Sequence, residues 1–195
     1  MVIKTARLVL RDFSQTDLPA YQALCSDSNF QRYSSEEDTT PKKAEFLLNM
    51  FIDWAMELPR TKFQLAIEIP SEEIIGSCGV RMTSVEEKQG TFGCELNQAH
   101  WGRGYAQEAS RAVMEFGFTE LDLHRISAET NSENLAAIAL AKKMGMRVEG
   151  ELKENRWFRG RWWNTTILSI LKSEWRQVAH DQVLRINPST HCVST

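Results

Sequence analysis

Trp101-Gly102-Arg103-Gly104-Tyr105-Ala106 joins a strand-like segment, Thr91 to Leu96, to a segment of helical spacing that runs from Gly104 to Leu121. Glycines at 102 and 104 let the backbone turn tightly and approach a ligand with no Cβ in the way. The first N–H groups of the following helix have no internal partners, and the helix dipole adds partial positive charge there. A phosphate suits such a turn, and Arg103 offers a charge-assisted contact. The Gly-Lys-Ser/Thr ending of a P-loop is absent, and no third glycine or βαβ start makes this a dinucleotide turn. Read alone, the pair of glycines also fits a plain structural connection.

Upstream of the turn, residues 63–69 alternate in polarity, 70–73 read as a turn, and 74–80 and 91–96 continue the pattern around a charged turn at 86–90. Short turns between alternating runs predict an antiparallel meander. Earlier still, residues 7–13 read as a strand. Ser14 and Asp17 cap a helix towards Cys25, and residues 34–40 form a polar loop. Pro41 opens a second helix whose stripe includes Phe46, Leu47, Met50, Phe51 and Trp54, and Pro59 ends it. Downstream, the stripe Ala106, Ala109, Val113, Phe116, Leu121 is helical. Residues 124–130 are then a strand, and Asn131-Ser132 cap a helix through Leu135, Ile138, Leu140 and Met144 that Gly145 stops. Strands at 147–152 and 165–171 complete a mixed α/β (α+β) pattern. One domain over 1–180 and a polar tail over 181–195 are expected.

A chain of 195 residues is long enough to bury a core without disulfides or metals. Its 42% hydrophobic and 25% charged residues are ordinary for a globular protein. The net charge of −3 argues against a dedicated nucleic-acid binder, which needs clustered Lys and Arg to neutralise phosphates. Cys25, Cys78, Cys94 and Cys192 form no CxxC pair and have no His at metal spacing, so reduced thiols and no metal site are expected. The start lacks a signal-peptide apolar core, and no apolar run approaches the ~20 residues of a membrane span. A cytoplasmic location is the expectation.

Four blocks in order carry a resemblance: Thr5 to Arg11, Trp101 to Ala106, Asn134 to Met146, and Gly150-Glu-Leu-Lys-Glu154 through Ser169 to Trp175. Together the blocks span residues 5 to 176. They resemble the GNAT N-acetyltransferases, in particular the branch of ribosomal-protein N-terminal (alanine/serine) acetyltransferases. The resemblance implies a twisted mixed sheet of about seven strands flanked by helices. That sheet splays between its fourth strand, residues 92–97, and its fifth, 124–130. It also implies acetyl-CoA as co-substrate, with the pantetheine arm lying along the fourth strand like an added strand. The pyrophosphate would rest on the N–H groups of residues 102–107. The cofactor-binding residues implied are Leu96, Trp101, Gly102, Arg103, Gly104, Tyr105, Ala106 and Gln107, together with Asn134, which matches the family Asn. Trp101 stands where the family usually has Gln or Arg. The acceptor would be an amine, either a protein N-terminus, which the resemblance prefers, or a small molecule, and a homodimer is a possible assembly.

Acetyl transfer needs a neutral amine, and an amine with a pKa of about 8 to 10 is largely protonated at neutral pH. Glu95, on the fourth strand where similar enzymes often keep a Glu, is the candidate base. The Leu96 N–H is the candidate donor to the carbonyl oxygen. The usual proton donors are missing. Ala141 stands where many family members have Tyr, and Ala137 where some of the ribosomal branch have Ser. Ser132, Tyr105 or a water remain as substitutes. Trp157, Phe158, Trp162 and Trp163, interleaved with Arg156, Arg159 and Arg161, fit either a packed hairpin or a base-stacking surface. His100 and His124 read as structural, and Glu36-Glu37-Asp38 as a solvated run that could attract a cationic amine. A non-catalytic acyl-CoA-binding module and an RNA-binding protein are the competing readings.

Overall fold

The computed structural model describes residues 1–70 and 74–175, apart from the side chains of residues 29 and 30. The expected tail at 181–195, Cys192 and most of the expected turn at 70–73 lie outside the described residues.

Among the described residues, eight strands form one sheet in the order β1-β2-β3-β4-β5-β6-β8-β7. They are β1 (Val2–Lys4), β2 (Val9–Asp12), β3 (Lys62–Glu68), β4 (Ile74–Ser84), β5 (Gln89–Leu96), β6 (Arg125–Asn131), β7 (Arg147–Phe158) and β8 (Arg161–Leu171). The strand beyond the expected seven is β1, a three-residue piece paired with β2 from Val2 opposite Arg11. Every neighbouring pair is antiparallel except β5 and β6. The expected meander is β3-β4-β5. A parallel pair needs a crossover, and α4 (Tyr105–Thr119) supplies it.

The parallel pairing is short. Gln89, Gly90 and Thr91 face Arg125, Ile126 and Ser127, and beyond them the two strands have no paired residues. β6 instead pairs with β8 over its whole length, from Arg125 opposite Leu171 to Asn131 opposite Thr165. The expected splay between 92–97 and 124–130 is therefore present.

Helices cover both faces. On one, α1 (Leu18–Cys25) and α3 (Pro41–Met56) bury Tyr21, Leu24, Leu48 and Phe51 against Phe13 and Ala66. On the other, α4 and α5 (Leu135–Lys143) meet a larger core built from Leu65, Ile67, Val80, Val113, Phe118, Ile126 and Leu168. The expected signal at Ser14 is real: Asp17 accepts the Ser14 N–H at 2.7 Å and opens a 3-10 turn that leads into α1. A short helix α2 (Ser28–Arg32) occupies a span that the sequence reading left without an element.

Two expectations are corrected. Asn131-Ser132 does not cap α5; β6 runs on to Asn131, whose pairing with Thr165 keeps the backbone extended. The cap is Asn134, whose Oδ1 accepts the Ala137 N–H at 3.1 Å. The last two strands are also longer than 147–152 and 165–171. They meet at Arg159-Gly160, both with positive φ, a two-residue turn whose twist matches that of the strands it joins.

Candidate active site

The site begins at the free edge of β5. Asn97 donates its N–H to Ile75 O on β4 at 2.8 Å. In an antiparallel pair successive residues point their backbone groups to alternate sides, so Leu96 turns its N–H away from β4 and into the split. Its carbonyl is already taken, because the Trp101 indole N–H donates to it at 2.9 Å. Trp101 thus ties the strand end to the turn, with the Leu96 N–H, next to Glu95, facing the split.

Gly102 and Gly104 both adopt left-handed conformations, with φ of 75° and 80°. Gly104 is the N-cap of α4 and makes no side-chain capping bond. The first intrahelical bond runs from Glu108 N–H to Gly104 O at 3.0 Å, which leaves the N–H groups of 105–107 without helical acceptors. The turn is braced from a distance. Arg7 pairs with Glu108 at 2.6 Å, donates to Arg103 O at 2.9 Å, and lies 4.7 Å from the Tyr105 ring centre. Thr5 Oγ1 donates to the same Glu108 carboxylate at 2.7 Å. Burial works to raise the Glu108 carboxyl, but the bonds from Thr5 and Arg7 outweigh it and hold it below the usual range. These contacts give the Thr5-Ala-Arg7 block a physical role.

A cavity of about 530 Å³ runs from this turn into the split. Leu96, Trp101, Gly102, Gly104, Tyr105, Ala106, Gln107 and Asn134 line it, as does His100, whose Nδ1 is buried with no hydrogen-bond partner among the described residues. Open helix N–H groups, glycines and an orphaned ring nitrogen suit a ligand that is anionic at one end. Arg103 is the exception among the expected residues. Its side chain is exposed and does not line the cavity, and its contribution here is the carbonyl held by Arg7.

A second cavity of about 330 Å³ lies on the other side of the split, bordered by Gly93, Glu129, Arg156, Phe158 and Thr165. The two meet at Tyr33, Cys94, Glu95, Asn134, Ala137 and Leu140, which line both. Glu95 is half-buried at that junction. Desolvation by burial raises its carboxyl above the usual carboxylate range, against Arg81 and the Ser77 hydroxyl, which pull it down.

Tyr33 is the junction residue that sequence reasoning missed. It follows α2 and carries no motif, and only the fold brings it opposite β5. Its hydroxyl donates to Glu133 O at 3.1 Å. Of the expected substitutes for the missing acid, Ser132 lines neither cavity and is bonded to Thr166 at 2.8 Å, while Tyr105 lines the larger cavity. Ala137 lines both cavities and Ala141 the smaller.

The aromatic-basic hairpin divides by face. Phe158 and Trp163 are buried and stacked, 4.9 Å apart and 5° from parallel. Arg161 lies 3.4 Å from the Trp163 ring centre and pairs with Glu133 at 2.8 Å. Arg159 donates to Ser34 O at 3.1 Å. Trp157 and Trp162 are exposed. Asn164 serves the hairpin itself, accepting the Glu154 N–H and donating to Glu151. Among the described residues, no group of three His, Cys, Asp or Glu could hold a metal. Among the same residues, no helix is long and apolar enough to cross a membrane.

The model of the acetyltransferase (GNAT) domain matches residues 7–147, which takes in the turn, the split and all six junction residues. The chain belongs to the GNAT acetyltransferases. This GNAT chain is 32% identical over 176 residues to the uncharacterized N-acetyltransferase YnaD of Bacillus subtilis, covering 90% of this chain and 99% of that one. It is also similar in fold to two solved structures. The spermidine N-acetyltransferase of Vibrio cholerae in complex with CoA and spermine matches with a TM-score of 0.75 at 24% identity, over 88% of this chain and 99% of that one. The ribosomal-protein-S5-alanine acetyltransferase of Vibrio fischeri matches with a TM-score of 0.75 at 18% identity, over 90% and 98%. The family's reaction defines the chemistry of this GNAT enzyme: an acetyl group moves to an amine.

Proposed function

We propose that this GNAT enzyme transfers the acetyl group of acetyl-CoA directly to a small primary amine, with Glu95 as base at the junction of the two cavities. The single observation that carries the reading is that Glu95 lines both cavities on the strand whose next N–H, that of Leu96, faces the split. The larger cavity takes acetyl-CoA. Its pyrophosphate rests on the open N–H groups of the 102–107 turn and its arm runs along β5, with Trp101, Tyr105, Ala106, Gln107 and Asn134 around it. Arg103 contributes backbone, since its side chain lies outside the cavity.

The amine enters the smaller cavity and loses a proton to Glu95, directly or through one water. Nitrogen then attacks the thioester carbonyl, and the Leu96 N–H receives the developing negative oxygen. The nitrogen of that intermediate still carries one surplus proton. As collapse expels the thiolate, the Tyr33 hydroxyl gives its proton to the sulfur and takes the one from nitrogen, a relay that residues 137 and 141 cannot make. A compact acceptor is favoured over a protein N-terminus because residues 33 and 34 are tied across this cavity. Tyr33 is bonded to the start of α5 and Ser34 to the hairpin.

Thiol release from acetyl-CoA, followed with a panel of small primary amines and short peptides with free N-termini, tests the reading. Turnover with the amines and a loss of at least ~100-fold in Glu95→Gln are expected. Turnover with peptides alone would move the acceptor back to a protein terminus. Binding of acetyl-CoA with no turnover on any amine would favour the acyl-CoA-binding module.

A further inference from the structure

Beneath Glu95, on the α1 and α3 face of the sheet, a chain of polar groups crosses three strands. Arg81 donates to Gln64 Oε1, Gln64 Nε2 donates to Ser77 Oγ at 3.0 Å, and Ser77 Oγ donates to Glu95 Oε2 at 3.4 Å. The direction of this chain is fixed at its far end. A guanidinium has donors and no acceptor, so Gln64 must turn its oxygen to Arg81 and its amide to Ser77. Ser77 then accepts from Gln64, and its one proton is left for Glu95.

Space for the chain is built into the sheet. Ser77 pairs with Glu95, Gln64 with Gly79, and Gly79 with Gly93. A Cβ on Gly79 would stand 2.3 Å from Gln64 Oε1, and one on Gly93 would stand 3.0 Å from Arg81 Nη2. Gln64 and Ser77 are buried among residues that could have been apolar. A buried polar network with no task is more often neutral or costly than stabilising.

We propose that Arg81, acting through Gln64 and Ser77, is a positioning residue that orients the Glu95 carboxylate and favours its ionised form. The proposal rests on Glu95 as the base. The titratable and charged groups around Glu95 are Tyr21 and Cys25 of α1, Tyr33 and Cys94 at the junction, and Glu129 and Arg156 on the smaller cavity. Burial raises Tyr21 and Cys25, the Cys25 thiol to about 12, so those two stay neutral, and Arg81 is the charge that pulls Glu95 down.

The test is to follow the Glu95 side-chain carbon by NMR through a pH titration, with Glu95→Gln assigning the signal. Acid limbs of kcat/KM are measured in parallel for the wild type, Arg81→Met, Arg81→Lys and Ser77→Ala. In Arg81→Met the Glu95 titration and the acid limb should both move up by about one pH unit, with the KM for acetyl-CoA unchanged. Arg81→Lys should restore much of the shift. Ser77→Ala, which keeps the charge and breaks the last link, should move the titration by less in the same direction, and it serves alone if Arg81→Met does not fold. An unmoved Glu95 titration in the folded variants overturns the relay even if Glu95→Gln is inactive. Full turnover in Glu95→Gln overturns the base reading, whatever the titration does.

Discussion

Tyr33 and Gly104 define two different demands on single residues. Tyr33 contributes one hydroxyl at the meeting of the two cavities. Tyr33→Phe removes that hydroxyl and keeps the ring, which packs edge-on near Trp163 with centroids 6.5 Å apart. It should lower kcat by roughly 10- to 100-fold, no more than the low end of what one proton-transfer group contributes because a thiolate leaves readily, and leave the KM for acetyl-CoA within twofold. Steady-state kinetics check this, and an unchanged kcat removes Tyr33 from the mechanism. Gly104 has φ of +80°, and a Cβ there would lie 3.3 Å from Arg7 Nη2. Gly104→Ala forces an L side chain into the left-handed region at about 1–2 kcal/mol. The strain falls where the phosphate N–H groups originate, so calorimetry should show acetyl-CoA binding at least about tenfold weaker. Glycine's permissiveness was legible in the sequence; Tyr33 was not, since a lone tyrosine after a short helix carries no spacing signal.

Among the elements, the start of α4 depends on a partner about a hundred residues away. Arg7 and Glu108 sit at the protein surface, with Arg7 about half exposed. An ion pair there contributes under about 1 kcal/mol to stability. Arg7→Ala should therefore move the urea midpoint little. Its larger effect should be on ligand binding, because Arg7 holds the Arg103 carbonyl and covers Tyr105 at the mouth of the turn. A rise of roughly 5- to 20-fold in the Kd for CoA with a nearly unchanged midpoint is the expected pattern, equivalent to about 1–2 kcal/mol. An unchanged Kd would reduce the clamp to decoration. Element types were readable because α3, α4 and the meander have clear periods. The cap of α5 and the length of the β7–β8 hairpin were not. Both depend on how far β6 and β8 keep pairing, which is a contact between distant segments.

For the whole molecule, carboxyls shift in two directions. Burial works to raise Asp12 and Asp17, but hydrogen bonds from Arg60 to the first, and from Arg11 and Ser14 to the second, hold both below the usual range. Glu108 behaves alike. A carboxyl with a lowered folded value binds fewer protons than its unfolded counterpart as pH falls. These three therefore stabilise the fold above the ordinary carboxylate range, and that stability is lost as pH drops through their lowered values. Glu95 is opposite in sign. Its raised value favours the folded state at low pH, and the advantage is lost as pH rises through it. The urea midpoint should fall from pH 5 to pH 3, and Glu95→Gln should be more stable than the wild type at pH 8. In the same molecule the acid limb of kcat/KM should lie above the ordinary carboxylate range, because the base must be ionised to work.

What the sequence determined by itself was local or repeated: helices and strands with clear periods, the glycine turn, the absence of basic surplus, and the ordered blocks that point to an acetyltransferase. The helices, strands and turn depend on neighbours within a few positions, where backbone conformation and side-chain period act directly, while charge balance and block order are read from the linear chain. The tertiary structure decided what depends on distance. It turned the Leu96 N–H into the split, kept the Arg103 side chain outside the cavity, and brought Tyr33 and Glu95 to one junction. It also lined Arg81, Gln64 and Ser77 behind Glu95. Strand register fixes which residues share a face, and register is set by pairing between segments far apart in the chain.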